Sequence, residues 1–389
     1  MIGHRTGAAR IESALAGCLY AIPLTVSWTV AGAHIAIGLA GGLALVLGAV
    51  WRRWPLARTP ADAPFAAFAL AALLSALTAL PATSDLVPLK KLLLIPIVHL
   101  CASALCSQRR LRLGLRFFVG AIALTALVSS SLYLLQQHAI GDRLRATTHY
   151  MTLSGLLLLA WPMAIAAAAA RGTMRYRLIY AGAAAALTVA LVLTFTRSTW
   201  LAMPIAATVM LARRRPRALW LVPLLTGLAL LVLPPAYRSR LRTSFDPTHH
   251  SNADRLEMWQ TGLAMWKARP WTGVGIGDLQ PVYAEYAPHE VQRIYGHLHN
   301  NWVHVLATMG AIGVLAFGWL MLQCGRIVHR AGAALADPEL RALALGGWGG
   351  FWGFQIMGLF EWNFGDVEVT IAFYFLLGLF AAASRGRQG

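Results

Sequence analysis

Residue types able to do chemistry are few in this chain, and they gather in its second half. His299-Asn300 is followed, nine residues on, by Gly310 and Gly313. Histidine's ordinary pKa of about 6.5 leaves much of it neutral near pH 7 and able to take a proton. The two glycines suggest a helix that packs closely against a neighbour and holds His299 rigidly at its end. Arg197 stands between Thr196 and Ser198, where two apolar segments meet. An arginine at or below a membrane surface is costly, so it is paired or functional. Arg255 lies near the start of an amphipathic stretch, and its planar fork suits phosphate oxygens. Asn300, Trp259 and His297 are accessory candidates. A plainer reading stays open for each: His299 as a helix cap, and the arginines as ion-pair partners of Asp254, Glu257 or Glu361.

Other chemistries lack their residues. There is no HExxH. His299 and His304 are five residues apart and point to different faces of a helix, so no metal or cofactor is expected. Asp366-Val367-Glu368 resembles an acidic metal motif, but reads equally as a solvated helix end. Gly273-Val274-Gly275-Ile276-Gly277 follows no predicted strand, which argues for tight turning and against nucleotide binding. Lys90-Lys91 opens an apolar segment, either to attract an anionic lipid head or to snorkel. Cys18, Cys101, Cys106 and Cys324 form no CxxC and read as small apolar residues.

The elements that position these groups follow from composition. The chain has 389 residues, 58% of them hydrophobic and only 12% charged. That excludes a soluble enzyme and specifies an all-α polytopic membrane protein. Twelve helical spans are expected, over 12–29, 33–51, 64–81, 87–106, 113–136, 149–170, 177–195, 198–212, 218–234, 299–324, 341–360 and 367–384. The net charge of +18 reflects clusters such as Arg109, Arg110, Arg112 and Arg213, Arg214, Arg215, and not a nucleic-acid partner. The positive-inside rule then puts both termini in the cytoplasm. The first apolar stretch reads as a retained span. Residues 1–389 form a single membrane domain. One large outer loop, 235–298, is inserted between spans nine and ten, whereas 137–148 is short. Within the large loop Asn252 to Ala268 predicts an amphipathic surface helix, with Leu256, Trp259, Leu263 and Trp266 at helical spacing and Asn252 or Asp254 as its cap.

Taken together, Arg255-Leu256-Glu257-Met258-Trp259, the run Arg269-Pro270-Trp271-Thr272-Gly273, and His299-Asn300 with Gly310 and Gly313 resemble the O-antigen ligase/polymerase superfamily. Thr196-Arg197-Ser198-Thr199-Trp200 resembles its arginine turn, and Gly358 to Asp366 resembles the ending of its ligase-like members. The resemblance covers about residues 194–370. It implies a GT-C-like fold in a Gram-negative inner membrane, with the active site facing the periplasm. It also implies transfer of polysaccharide from undecaprenyl diphosphate to lipid A–core in lipopolysaccharide biosynthesis. Arg197 and Arg255 would then bind the diphosphate and His299 would act as base or only orient the acceptor or diphosphate, with no metal and with inversion. The single large outer loop favours a ligase over an O-antigen polymerase using the same donor. A polytopic lipid or glycan transporter is the reading from a different class; it predicts internal repeats and mid-span charges, and neither is evident.

Overall fold

Each of the twelve expected segments is helical in the computed structural model, which describes residues 2–136, 142–145, 148–288 and 293–385. Most of the 137–148 connection, on which the ligase preference partly rests, lies outside the described residues. The first helices are α1 (Ile2–Val26), α2 (Val30–Trp51), α3 (Asp62–Leu77), α4 (Pro96–Ala104) and α5 (Gln108–Leu135). They are followed by α6 (Tyr150–Ala168), α7 (Met174–Leu193), α8 (Arg197–Arg214), α9 (Leu221–Val232) and α10 (Pro235–Arg242). The last are α11 (His250–Ala268), α12 (Gln280–Tyr286), α13 (Asn301–Ala334), α14 (Pro338–Met357) and α15 (Val367–Arg385). Among the described residues, seven helical segments are long and apolar enough to cross a membrane, and two shorter apolar ones accompany them. Pro88 and Pro96 shape the fourth segment: a 3₁₀ stretch, Val87–Leu94, leads into α4.

The core is made by α6, α14 and α15. α15 is buried along nearly its whole length. α14 approaches α6 through Gly346, where a Cβ would stand 2.2 Å from the Met163 backbone. α2 and α9 instead expose their leucines and valines at the edge, as apolar helices facing lipid do. Cys101 and Cys324 are buried, whereas Cys106 is exposed.

α13 is not one continuous span. At Gly310 the backbone leaves the helix (φ 64°, ψ −162°), and residues 270–275 of the large loop dock into the break. Val274 N–H donates to Ala307 O (2.9 Å) and Gly275 N–H to Thr308 O (3.2 Å). Below the break, Ala311 N–H donates to Pro270 O (2.8 Å) and Ile312 N–H to Trp271 O (3.3 Å). Thr308 O also accepts from Ser75 Oγ at 2.6 Å. The polar groups released by the kink are thus satisfied by protein, the condition for irregular backbone at membrane depth. Gly310 is required twice over, by its positive φ and because a Cβ would lie 2.3 Å from the Trp271 carbonyl carbon. The close neighbour expected at Gly310 is therefore a loop and not another helix. At Gly313 a Cβ would meet Met309 Cβ across the kink.

α11 corrects the expected cap, which is His249 and neither Asn252 nor Asp254. Met258, Thr261, Gly262 and Met265 form its buried face, whereas Leu256 and Leu263 are exposed. Gly262 meets Leu298 and Val303, at the start of α13. Of the expected stripe the two leucines thus face away from the protein, as a helix lying at a membrane surface requires, whereas Trp259 and Trp266 are partly buried. The helix begins at His250, so Asn252 is not its cap. Its amide donates instead to the carbonyls of Thr243 (2.9 Å) and Asp246 (2.7 Å).

Candidate functional site

The start of α13 is fastened to the 358–366 loop. Asn300 caps the helix, its Oδ1 accepting from Trp302 N–H (2.9 Å) and Val303 N–H (3.1 Å). Its amide donates to Leu359 O at 2.9 Å. Asn301 N–H donates to Gly358 O at 2.7 Å, and its side chain donates to Asn363 Oδ1 at 2.6 Å. His299 takes up a left-handed conformation (φ 43°), which turns the chain from loop into helix.

This fastening brings Glu361 between two of the expected residues. Glu361 Oε2 lies 2.8 Å from His299 Nδ1, and Glu361 Oε1 lies 2.7 Å from Arg255 Nη2. Arg255 Nε also donates to Phe360 O at 3.2 Å. The Glu361 side chain is only 5% exposed. Burial works to raise its pKa, but the hydrogen bond from His299 and the charge of Arg255 outweigh that, and the carboxyl is held below its usual range. A carboxylate only accepts, so His299 Nδ1 carries a proton, and in the neutral ring Nε2 is then the acceptor. An unpaired charge left in this position would cost about 3–5 kcal/mol, so the three side chains stand or fall together.

Arg197 sits just beyond the tight α7–α8 turn, where Phe195 has φ 53°. It donates to Thr243 O (2.9 Å), Asn252 Oδ1 (2.8 Å) and the Ser251 hydroxyl. Every one of these partners is neutral. It lies in the electrostatic field of Arg143, Arg240 and Arg255. Arg240 is half-buried, with a buried Nε that has no partner among the described residues; burial, then Arg143, lowers its pKa. Arg143 stacks over Tyr150, 4.2 Å from the ring centroid. α10 is pressed to the α7–α8 turn by Tyr237, 4.1 Å from the Phe195 ring.

Below the arginines runs a groove of about 1140 Å³, lined by faces of α6, α7, α8, α9 and α11. Arg197, Arg255, Trp259 and Phe360 mark one end and Arg214 and Arg215 the other. It follows all 18 residues of α8, roughly 27 Å at 1.5 Å per residue, with walls almost wholly apolar between the two ends. Trp259 Nε1 is buried and has no partner among the described residues. His297 lies beside His299, with ring centroids 4.4 Å apart. Asp366 caps α15 through Val369 N–H (3.3 Å) and accepts from the Thr152 hydroxyl. Among the described residues no three His, Cys, Asp or Glu side chains gather as metal ligands.

The structure therefore joins His299 to Arg255 through Glu361, and places Arg197, from α8, against Ser251 and Asn252, one turn before Arg255 on α11. Sequence reasoning named Glu361 only as an ion-pair partner, and did not single out Arg143 or Arg240. The signal available for Arg240 was its place in the basic run 238–242, directly after Pro234-Pro235. Residues 182–318 match the family model for O-antigen ligase. The matched stretch holds Arg197, Arg255, His299, Gly310 and Gly313, and supports membership of the O-antigen ligase/polymerase superfamily. No curated protein matches the chain.

Proposed function

We propose that this member of the O-antigen ligase/polymerase superfamily is an O-antigen ligase. It transfers polysaccharide from undecaprenyl diphosphate to lipid A–core on the periplasmic side of a Gram-negative inner membrane. Superfamily members are glycosyltransferase-like enzymes that act on lipid-linked polysaccharide, and the finer assignment is our reading. Both termini are cytoplasmic in this reading, and the architecture is GT-C-like.

The observation that carries the proposal is the Arg255–Glu361–His299 relay at the head of an apolar groove. The groove suits a polyprenyl chain of membrane length. At its head Arg197 and Arg255 meet the two phosphates, and Trp259 Nε1 offers one more donor. Positive charge placed where a diphosphate leaves stabilises the transition state, which is the task a metal performs elsewhere. An acceptor hydroxyl loses its proton to His299 Nε2, and its oxygen forms the new bond to the anomeric carbon. The carbon–oxygen bond to the diphosphate breaks, and the lipid diphosphate leaves with the electron pair. Attack opposite the leaving group inverts the centre. Glu361 fixes the histidine tautomer and steadies the imidazolium as it forms.

Reconstitution with undecaprenyl diphosphate-linked glycan and lipid A–core, in EDTA, tests this. Wild type is expected to shift a glycan ladder onto lipid A–core. His299→Ala is expected to lose about 10²- to 10⁴-fold in rate, the usual share of acid–base catalysis. Longer lipid-linked glycan in place of transfer would make the protein a polymerase, and an unchanged rate in His299→Ala would remove the histidine from the chemistry.

A further inference from the structure

The 358–366 loop has two sides, and the transfer chemistry uses one. Phe360 faces the groove, and none of Lys91, His297, His304 and Asp366 lines it. These four cluster on the other side. Lys91 does not snorkel: its Nζ turns inward and donates to Gly365 O at 2.6 Å. The His304 ring lies tilted against Trp362, with centroids 4.0 Å apart. It is 7% exposed, and its Nδ1 has no partner among the described residues. His297 is exposed and lies against His299. Asp278 stands beside the neighbouring Gly296, its carboxylate oxygen 2.8 Å from where a Cβ would be. Lys91 acts electrostatically on His297 and on Asp366.

A lysine drawn inward at the head of a span gives up its water, and so does a buried imidazole nitrogen left unpaired. Lys91 has three N–H donors and spends one on Gly365. The exposed His297 ring offers a nitrogen that donates or accepts. Together with His304 behind them, these groups form a polar patch that abuts the His299 ring on the face away from the donor groove. A sugar supplies what the patch lacks: several hydroxyls, each both donor and acceptor, on one rigid ring.

We propose that the patch formed by Lys91, His297 and His304 is the acceptor-sugar site, which holds the acceptor's terminal sugar and presents one hydroxyl to His299. The inference rests on the transferase reading above. Donor and acceptor then approach His299 and Arg255 from opposite sides of the 358–366 loop, and neither has to leave before the other enters.

Binding of lipid A–core to the detergent-solubilised protein, measured without donor, tests the site apart from catalysis. Steady-state transfer then separates the two KM values. Lys91→Met is expected to weaken acceptor binding and raise acceptor KM roughly tenfold or more, the loss of one charged hydrogen bond. Its donor KM stays within about twofold, and Lys91→Arg restores part of the affinity. His297→Ala, at an exposed position, gives the same direction and covers the case in which Lys91→Met does not fold. Unchanged acceptor affinity in both variants, or a rise in donor KM alone, overturns the site. A wild type that neither binds lipid A–core nor transfers glycan overturns the function on which the site rests, and the site with it.

Discussion

Arginines at the two ends of the helix bundle keep different company. At the end opposite His299, Arg112 Nη2 lies 2.6 Å from Asp337 Oδ2, and Arg116 grips both oxygens of Glu339 at 2.6 and 2.7 Å. Tyr180 donates to the same carboxylate at 3.2 Å. Those charges are spent on tying α5 and α7 to the start of α14. At the His299 end, Arg197 is held by a carbonyl, a hydroxyl and an amide, and Arg240 has an idle nitrogen. Neutral partners fix a guanidinium in place without cancelling it. The first arrangement is a fastening, and in the proposed function the second is a charge kept ready for an anion. Arg255 stands between them, since it shares Glu361 with His299.

Substitution at each end should separate the two roles. Arg197→Met is expected to lower kcat/KM for the lipid-linked donor about 10²-fold, given roughly 1.5–3 kcal/mol for each charged hydrogen bond lost to the donor phosphates. Arg116→Met should leave the donor KM unchanged; an equal kinetic loss in both variants would erase the distinction. A smaller effect sharpens it from the other side. Arg116 is 47% exposed, so Arg116→Met should lower stability by up to about 1 kcal/mol, read as an earlier thermal transition in detergent. A third test, read in the pH dependence of stability, concerns Glu361. Its pKa is below the ordinary 4.5, so between the two values the unfolded chain binds the extra proton and stability rises with pH. The contribution is complete above about 4.5 and disappears as pH falls through the folded value. Glu361→Gln should flatten this acid limb of the thermal-stability profile, and an unaltered slope would show that the carboxylate is not held by its two partners.

Much of this arrangement could be read along the chain, and the unread part has a common cause. The spans follow from apolar runs broken by arginine, because lipid enforces that pattern locally. His299, Arg255 and Arg197 stand out because polar chemistry is scarce in such a chain. Glu361 does not, since its meaning comes from His299, 62 positions earlier, and no local spacing encodes that contact. The docking of 270–275 into α13 is carried by main-chain groups, which every residue possesses, so Gly273 reads as a turn and Gly310 as an unrelated helix-packing contact. The orientation of α11 was hidden for another reason. In a membrane an apolar stripe faces lipid as readily as protein, and here Thr261 and Gly262 take the inner face while Leu256 and Leu263 look outward.

The break in α13 carries a consequence for how the molecule exchanges hydrogen with water. The amides of Val274, Gly275, Ala311 and Ile312 are shared between the loop and the span, so neither partner can open alone. They should exchange with deuterium at one common rate, as a single cooperative unit. The large outer loop would then belong, by its protection, to the interior of the protein and not to its periphery.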